Sequence, residues 1–189
     1  MDTISRLIAA RLEGAHRAID ALADAGVGAA RATSAIRDAV RAGATVFTCG
    51  NGGSAAEALH LAEELLGRYH NDREPLPAVC LNADTTALTC IANDFGFEQV
   101  FARQVEALAA PGDALVVFST SGQSPNIVAA LETARDLGVI TIGLLGKNGG
   151  PAASLCDAPV IIPSQDTAHI QEAHLALLHI MLEAIEAED

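Results

Sequence analysis

The sequence predicts an α/β protein: a five-stranded parallel sheet covered by helices on both faces, with further helices at the N-terminus. Three observations carry this. From Thr45 onward, short β-branched runs alternate with segments of helical period. The runs, such as Leu115-Val116-Val117-Phe118, are continuously apolar, as strands buried on both faces are. Several runs stop at glycine- or hydroxyl-rich turns that lead straight into the next helix.

In chain order, residues 2–24 read as a helix with Ile4, Leu7, Ile8, Leu12, Ala15, Ile19 and Leu22 on one stripe. A second helix, Ala29 to Ala42, ends at Gly43. This pair (residues 1–43) cannot bury its stripe alone, so it is expected to pack both on the sheet and on a neighbouring subunit. Strands are expected at 45–49, 78–82, 114–118, 139–145 and 158–162. Helices are expected at 54–66, 85–92, 97–109, 125–137 and 151–155, and a last one from Asp166 to Glu186 behind a Ser164/Asp166 cap signal. No repeat or long linker interrupts 1–189, which reads as one domain.

Composition narrows the partners. The net charge of −13 argues against nucleic acid and anionic membranes. No apolar run reaches the ~18 residues of a membrane span, and the first residues lack a signal-peptide profile, so the expected location is the cytoplasm. Cys49, Cys80, Cys90 and Cys156 lie singly in or beside apolar runs and read as buried thiols. Lys147 is the one lysine, so a bound phosphate must be held chiefly by N–H groups and hydroxyls.

The turns supply those groups. Gly50-Asn51-Gly52-Gly53 joins the first strand to a helix starting near Ser54, and such a turn aims backbone N–H groups at an anion. Ser119-Thr120-Ser121-Gly122-Gln123-Ser124 follows the third strand, with Pro125 suited to the first helical position. A Ser/Thr-rich N-cap alone is common in α/β folds. Two such turns at strand carboxyl ends point to a ligand over the sheet. Gly146 to Gly150 reads as a plain turn. Asn93 and Asp94 read either as a turn before Gly96 or as partners of sugar hydroxyls.

His60 and Glu64 lie four residues apart on one helical face, and Gln171, Leu175 and His179 share a stripe of the last helix. A solvated ion pair and a satisfied core histidine are the plain accounts. Taken together, two imidazoles, a carboxylate and an amide suit a divalent ion, zinc best, or nickel or iron(II).

The text Cys49-Gly50-Asn51-Gly52-Gly53-Ser54, His60 to Tyr69, Asn93 to Gly96, Ser119 to Ser124, Gly146 to Gly150 and Ile170 to His174 followed by His179 resembles the sugar-isomerase (SIS) superfamily. Within it, the closer resemblance is to the sedoheptulose 7-phosphate isomerases, over essentially the whole chain. The resemblance implies a flavodoxin-like α/β/α sandwich and a homotetramer with sites at subunit interfaces. It implies conversion of sedoheptulose 7-phosphate, a phosphorylated seven-carbon sugar, into D-glycero-D-manno-heptose 7-phosphate. By position it assigns the phosphate to Ser119, Thr120, Ser121 and Ser124, and other substrate contacts to Asn51, Gly52, Gly53, Ser54, Glu64, Asn93, Asp94 and Gln171. His60, Glu64, Gln171 and His179 correspond to zinc ligands, with Glu64 as general base and His179 as general acid. Moving a carbonyl between C1 and C2 through a cis-enediol needs such a pair.

Two alternatives use the same text. A non-catalytic SIS-fold sugar-phosphate-binding or replication-initiator-associating protein would share the turns but lack the full His60/Glu64/His179 set. A dinucleotide enzyme would use Gly50-Asn51-Gly52-Gly53-Ser54-Ala55, yet the nearest acid after the second strand, Asp84, comes later than that motif requires.

Overall fold

The computed structural model describes residues 2–24 and 26–187. The apolar runs form strands β1 (Val46–Gly50), β2 (Ala78–Cys80), β3 (Ala114–Ser119), β4 (Ile140–Gly146) and β5 (Ala158–Ile162). All pair in parallel, in the order β2-β1-β3-β4-β5, with Thr48 opposite Val116 and Val116 opposite Ile142. This is the flavodoxin-like order, in which the chain winds outward from β1 to β2 and then returns across β1 to β3. The crevice above the carboxyl ends of β1 and β3 is where open sheets of this kind take ligands.

The helices are α1 (Thr3–Asp24), α2 (Gly26–Arg41), α3 (Gly53–Leu66), α4 (Thr85–Phe95), α5 (Ala102–Leu108), α6 (Pro125–Asp136), α7 (Ala152–Leu155) and α8 (Thr167–Glu186), with a 3₁₀ turn at Phe97–Gln99. Successive strand residues point to opposite faces and fill two cores. Val46, Val116 and Phe118 join α2, α3 and α8 on one face, with α1 packed outside on α8. Phe47, Cys49, Leu115 and Val117 join α5, α6 and α7 on the other. Each fully buried Leu, Ile or Phe contributes roughly 1.5–3 kcal/mol, so both covers are needed to hold the sheet. The expected three-layer sandwich is the fold observed.

Four details depart from the sequence reading. On α1 only Ala18 and Leu22 are buried apolar side chains, whereas Ile4, Leu7, Ile8, Leu12 and Ile19 of the predicted stripe face outward. The stripe is apolar, but this chain does not cover it. The predicted 85–92 helix runs on to Phe95, so Asn93 and Asp94 sit in its last turn, which Gly96 ends at φ 90°. Strand β2 stops at Cys80 and lies at the sheet edge. Finally, Cys90 is exposed: α4 buries none of its residues, unlike the elements that carry Cys49 and Cys80.

Candidate active site

Strands β1 and β3 end side by side, so the turns after them meet. Asn51 and Asn126 lock the two together: each side-chain amide donates to the other's carbonyl oxygen at 2.9 Å. Asn126, at the second position of α6, is 2% exposed, and its only signal in the sequence is its place after Ser124-Pro125. Above this bolt lies a cavity of about 280 Å³. Asn51, Gly52, Gly53 and Ser54 line it from the first turn, Ser119, Thr120, Ser121 and Ser124 from the second, and Thr167 and Gln171 from α8.

The cavity suits a phosphate. Gly52 holds φ 59° ahead of α3, and although the Ser54 and Ala55 N–H groups donate to the Asn51 and Gly52 carbonyls, the cavity lies at the positive dipole end of that helix. In the second turn the Ser119 hydroxyl accepts from the Gly122 N–H at 3.1 Å, and Ser121 accepts from Gln123 at 3.2 Å. Both hydroxyls serve the turn as acceptors, so each keeps its O–H to donate to an anion. No lysine lines the cavity, as the composition required.

The Gly146–Gly150 stretch is more than a plain turn. A Cβ on Gly122 would strike the Gly149 carbonyl, and Gly122 accepts from Ala152 N–H at 3.1 Å. The third turn therefore buttresses the second, backbone against backbone.

Along the seam between α3 and α8 lies the second group. His60 Nε2 faces Glu64 Oε1 at 3.4 Å, and the His60 ring meets His179 edge-on at 5.3 Å between centroids. Tyr69 stacks on His179 at 5.6 Å, with an interplanar angle of 17°. His60 and Glu64 are thus paired with the His179 ring beside them, but His179 is not among the residues whose ligand atoms come within 4.8 Å of one another. Gln171 is two helical turns earlier on α8, and its amide abuts Gly53, where a Cβ would strike it. Within this chain Gln171 belongs to the cavity end of the seam.

The His60–Glu64 pair suits a divalent ion. Bonds of about 2.0–2.1 Å in tetrahedral geometry separate two donors by roughly 3.3 Å, close to the His60–Glu64 spacing. Ligand atoms of His60, Glu63 and Glu64 also lie within 4.8 Å of one another. Glu63 was missed in the sequence, where it is masked as the exposed neighbour of Glu64.

Asn93 and Asp94 are not in the cavity of their own chain. Both are exposed on α4, where Asn93 Nδ2 donates to Asp94 Oδ1 at 2.7 Å.

Two buried ionisable groups flank the site. His174 is fully buried, bonded to the Leu145 carbonyl at 3.1 Å and edge-on to Phe118; burial lowers its pKa to about 4, so it is a neutral core histidine. Glu57 lies on the α3 stripe between Gly53 and His60, 8% exposed, with the Ser54 side chain as the polar neighbour of its carboxyl group. Burial pushes its carboxyl up to about 7.

Because the folded pKa of Glu57 exceeds that of the unfolded chain, stability is intact below about pH 4.5 and falls as pH rises through 7. The loss is on the order of 3 kcal/mol. Glu57→Gln should remove it, so the stability gap between variant and parent should widen by that amount between pH 4.5 and 8. Parallel urea-unfolding midpoints across that range would refute the burial argument. Comparison with the variant also cancels His174, whose contribution runs the other way, lost as pH falls from 6.5 towards 4.

The geometry agrees with the comparisons. The SIS domain family matches residues 3–146. The chain is similar to the phosphoheptose isomerase of Trichlorobacter lovleyi, 54% identical over 144 residues that cover 76% of this chain and 74% of that protein. Among solved structures it is similar to the phosphoheptose isomerase of Neisseria gonorrhoeae, with TM-score 0.91, 37% identity and coverage of 97% and 99% of the two chains. It is also similar to that of Francisella tularensis, with TM-score 0.92, 33% identity and full coverage of both. By sequence and by fold, the chain belongs to the phosphoheptose isomerase family of SIS-domain proteins.

Proposed function

We propose that the chain converts D-sedoheptulose 7-phosphate into D-glycero-D-manno-heptose 7-phosphate. One observation carries this reading: the hydroxyl-lined cavity and the His60/Glu64/His179 group sit at two ends of one helical seam. Gly53 and His60 are seven residues apart, roughly 10 Å along α3. That is about the span of an extended seven-carbon chain from its phosphate to its carbonyl end.

In this reading Ser119, Thr120, Ser121 and Ser124 hold the phosphate. The N–H groups of Gly52 and Gly53, with Asn51, Ser54 and Gln171, line the sugar. Glu64 takes a proton from C1 and, in exchange with solvent, delivers one to C2. His179 gives a proton to the C2 oxygen and recovers one from the C1 hydroxyl, so the carbonyl moves through a cis-enediol with no net change in protons. His60, Glu64 and His179, with Gln171 as the fourth ligand implied by family position, would hold a divalent ion, for which zinc is our assignment. Such an ion would supply Lewis-acid polarisation to the carbonyl end of the sugar. A carboxylate that both ligates and abstracts must loosen one role during turnover.

A homotetramer is part of the proposal. The outward stripe of α1 and the outer face of α4, whose Leu88, Ile91 and Ala92 are only partly buried, are surfaces that further copies would cover, and α4 would bring Asn93 and Asp94 to a neighbour's site. We further propose that 1–189 is a single SIS unit, with residues 1–43 packing on core and neighbours, acting in the cytoplasm. Among the described residues no helix is long and apolar enough to cross a membrane.

The test is direct. Metal-replete protein incubated with sedoheptulose 7-phosphate in deuterated water should yield the aldose carrying solvent deuterium at C2, read by NMR. Chelation should abolish turnover, and zinc, nickel or iron(II) added singly should identify the ion. Absence of product from metal-replete protein would sink the isomerase reading and favour a sugar-phosphate sensor.

A further inference from the structure

The loop after α3 is held by an acid from the far end of the chain. Glu186, in the last turn of α8, has a side chain only 4% exposed. Its two oxygens accept the successive backbone N–H groups of Tyr69, His70 and Asn71 at 3.0, 3.0 and 2.8 Å. Arg73 Nε donates to the same carboxylate at 3.2 Å. The other nitrogens of Arg73 donate to the carbonyls of Glu64, at 2.7 Å, and Leu65, at 3.1 Å, which are among the last carbonyls of α3. This is an anion in a nest of backbone N–H groups, bridged by a guanidinium fork to a helix C-terminus.

We propose that Glu186, with Arg73 and Tyr69, is a positioning device for the reaction, setting His179 and Glu64 in register. The inference rests on the isomerase reading above. Glu64 rides on α3 and His179 on α8, so their mutual placement is only as good as the link between the two helices. The clamp makes that link twice. Through Arg73 it ties the backbone of Glu64 itself to the end of α8. Through the nest it fixes the 69–71 loop, which lays the Tyr69 ring along His179, the imidazole that His60 meets edge-on. Stacking of Tyr69 on His70, at 3.9 Å, stiffens the same loop. Burial alone would raise the Glu186 carboxyl, but the N–H groups of Asn71, Tyr69 and His70, together with Arg73, outweigh it and hold the group at about 2. The clamp is therefore charged throughout the working pH range. None of these side chains lines the phosphate cavity, so the device should act on the chemistry and not on the grip.

Glu186→Gln keeps the shape but offers an NH₂ group to donors that need an acceptor. It should lower kcat for sedoheptulose 7-phosphate at least tenfold while changing KM less than twofold. Tyr69→Ala should reproduce that split without touching the nest, and Tyr69→Phe, which keeps the stacked ring, should recover most of the loss. A readout independent of turnover comes from ¹³C-histidine NMR. The His179 ring protons, shielded by Tyr69, should move downfield in Glu186→Gln and Tyr69→Ala and stay shielded in Tyr69→Phe. Active parent with unchanged kcat and unmoved His179 signals in both variants would overturn the positioning role. So would kcat losses that merely track a fall in melting temperature, with Phe no better than Ala. A parent that turns over no sedoheptulose 7-phosphate would overturn the isomerase reading itself, and the role assigned to the clamp with it.

Discussion

Glu64→Gln is expected to lower kcat by about 10²–10⁴-fold, the range that a positioned general base contributes, with the fold intact. The substitution is isosteric, and the bond from Arg73 goes to the backbone carbonyl of Glu64, which a glutamine retains. What disappears is the carboxylate that faces His60. His179→Ala should cost a similar factor, and it also removes the ring that meets both His60 and Tyr69. Because acid and base act in one proton circuit, the double variant should be scarcely worse than either single one. Two measurements separate the base from the ligand role. Metal content of each variant, with excess metal restored, shows whether loss of the ion accounts for the loss of rate. Deuterium incorporation at C2 shows whether proton transfer has stopped. Full activity in metal-loaded Glu64→Gln would remove Glu64 from the mechanism.

Gly122→Ala should be the most damaging change to the phosphate end. Gly122 holds φ 63°, where a Cβ costs about 1–2 kcal/mol by itself. Its Cβ would also meet the Gly149 carbonyl, which is backbone and cannot swing aside. The two effects together are worth about 3 kcal/mol, or roughly 6–12 °C in apparent melting temperature for a chain of this size. The β3 turn can relieve the clash only by moving, so KM for the sugar phosphate should rise as well. Gly43→Ala is the control. Gly43 has φ 80°, but nothing lies within 4 Å of the added carbon, so it should show only the conformational cost of about 1 kcal/mol and an unchanged KM. Equal effects of the two substitutions would mean that the contact between the turns is unimportant.

Much of this site was legible before folding. A run such as Leu115 to Phe118 cannot be half-solvated, and five such runs separated by helical text leave little but a covered parallel sheet. Both cradle turns were readable because glycine and Ser/Thr at the junction of strand and helix have a local reason to be there: a positive φ, a free hydroxyl, an N–H group left over at a helix start. The pairing of His60 with Glu64 follows from the α-helical period alone. Other features had no local signal. Asn126 follows a proline in an unremarkable helix start, and only the adjacency of β1 and β3 brings it onto Asn51, 75 residues away. For Glu57 the period marks the buried stripe of Ala58 and Leu61, but nothing local says that a carboxyl group there is taken into the core.

The sequence by itself determined the layers of this protein, the residues at its strand ends and the family to which it belongs, because those depend on period, on backbone preference and on short motifs. Tertiary structure alone decided which turns would touch. It bolted Asn51 to Asn126, set Gly149 under Gly122, separated Gln171 from the imidazole pair within the chain and left the α1 stripe uncovered. The physical reason is that hydrophobic periodicity says which side of an element seeks cover, whereas strand order and helix packing say what provides it.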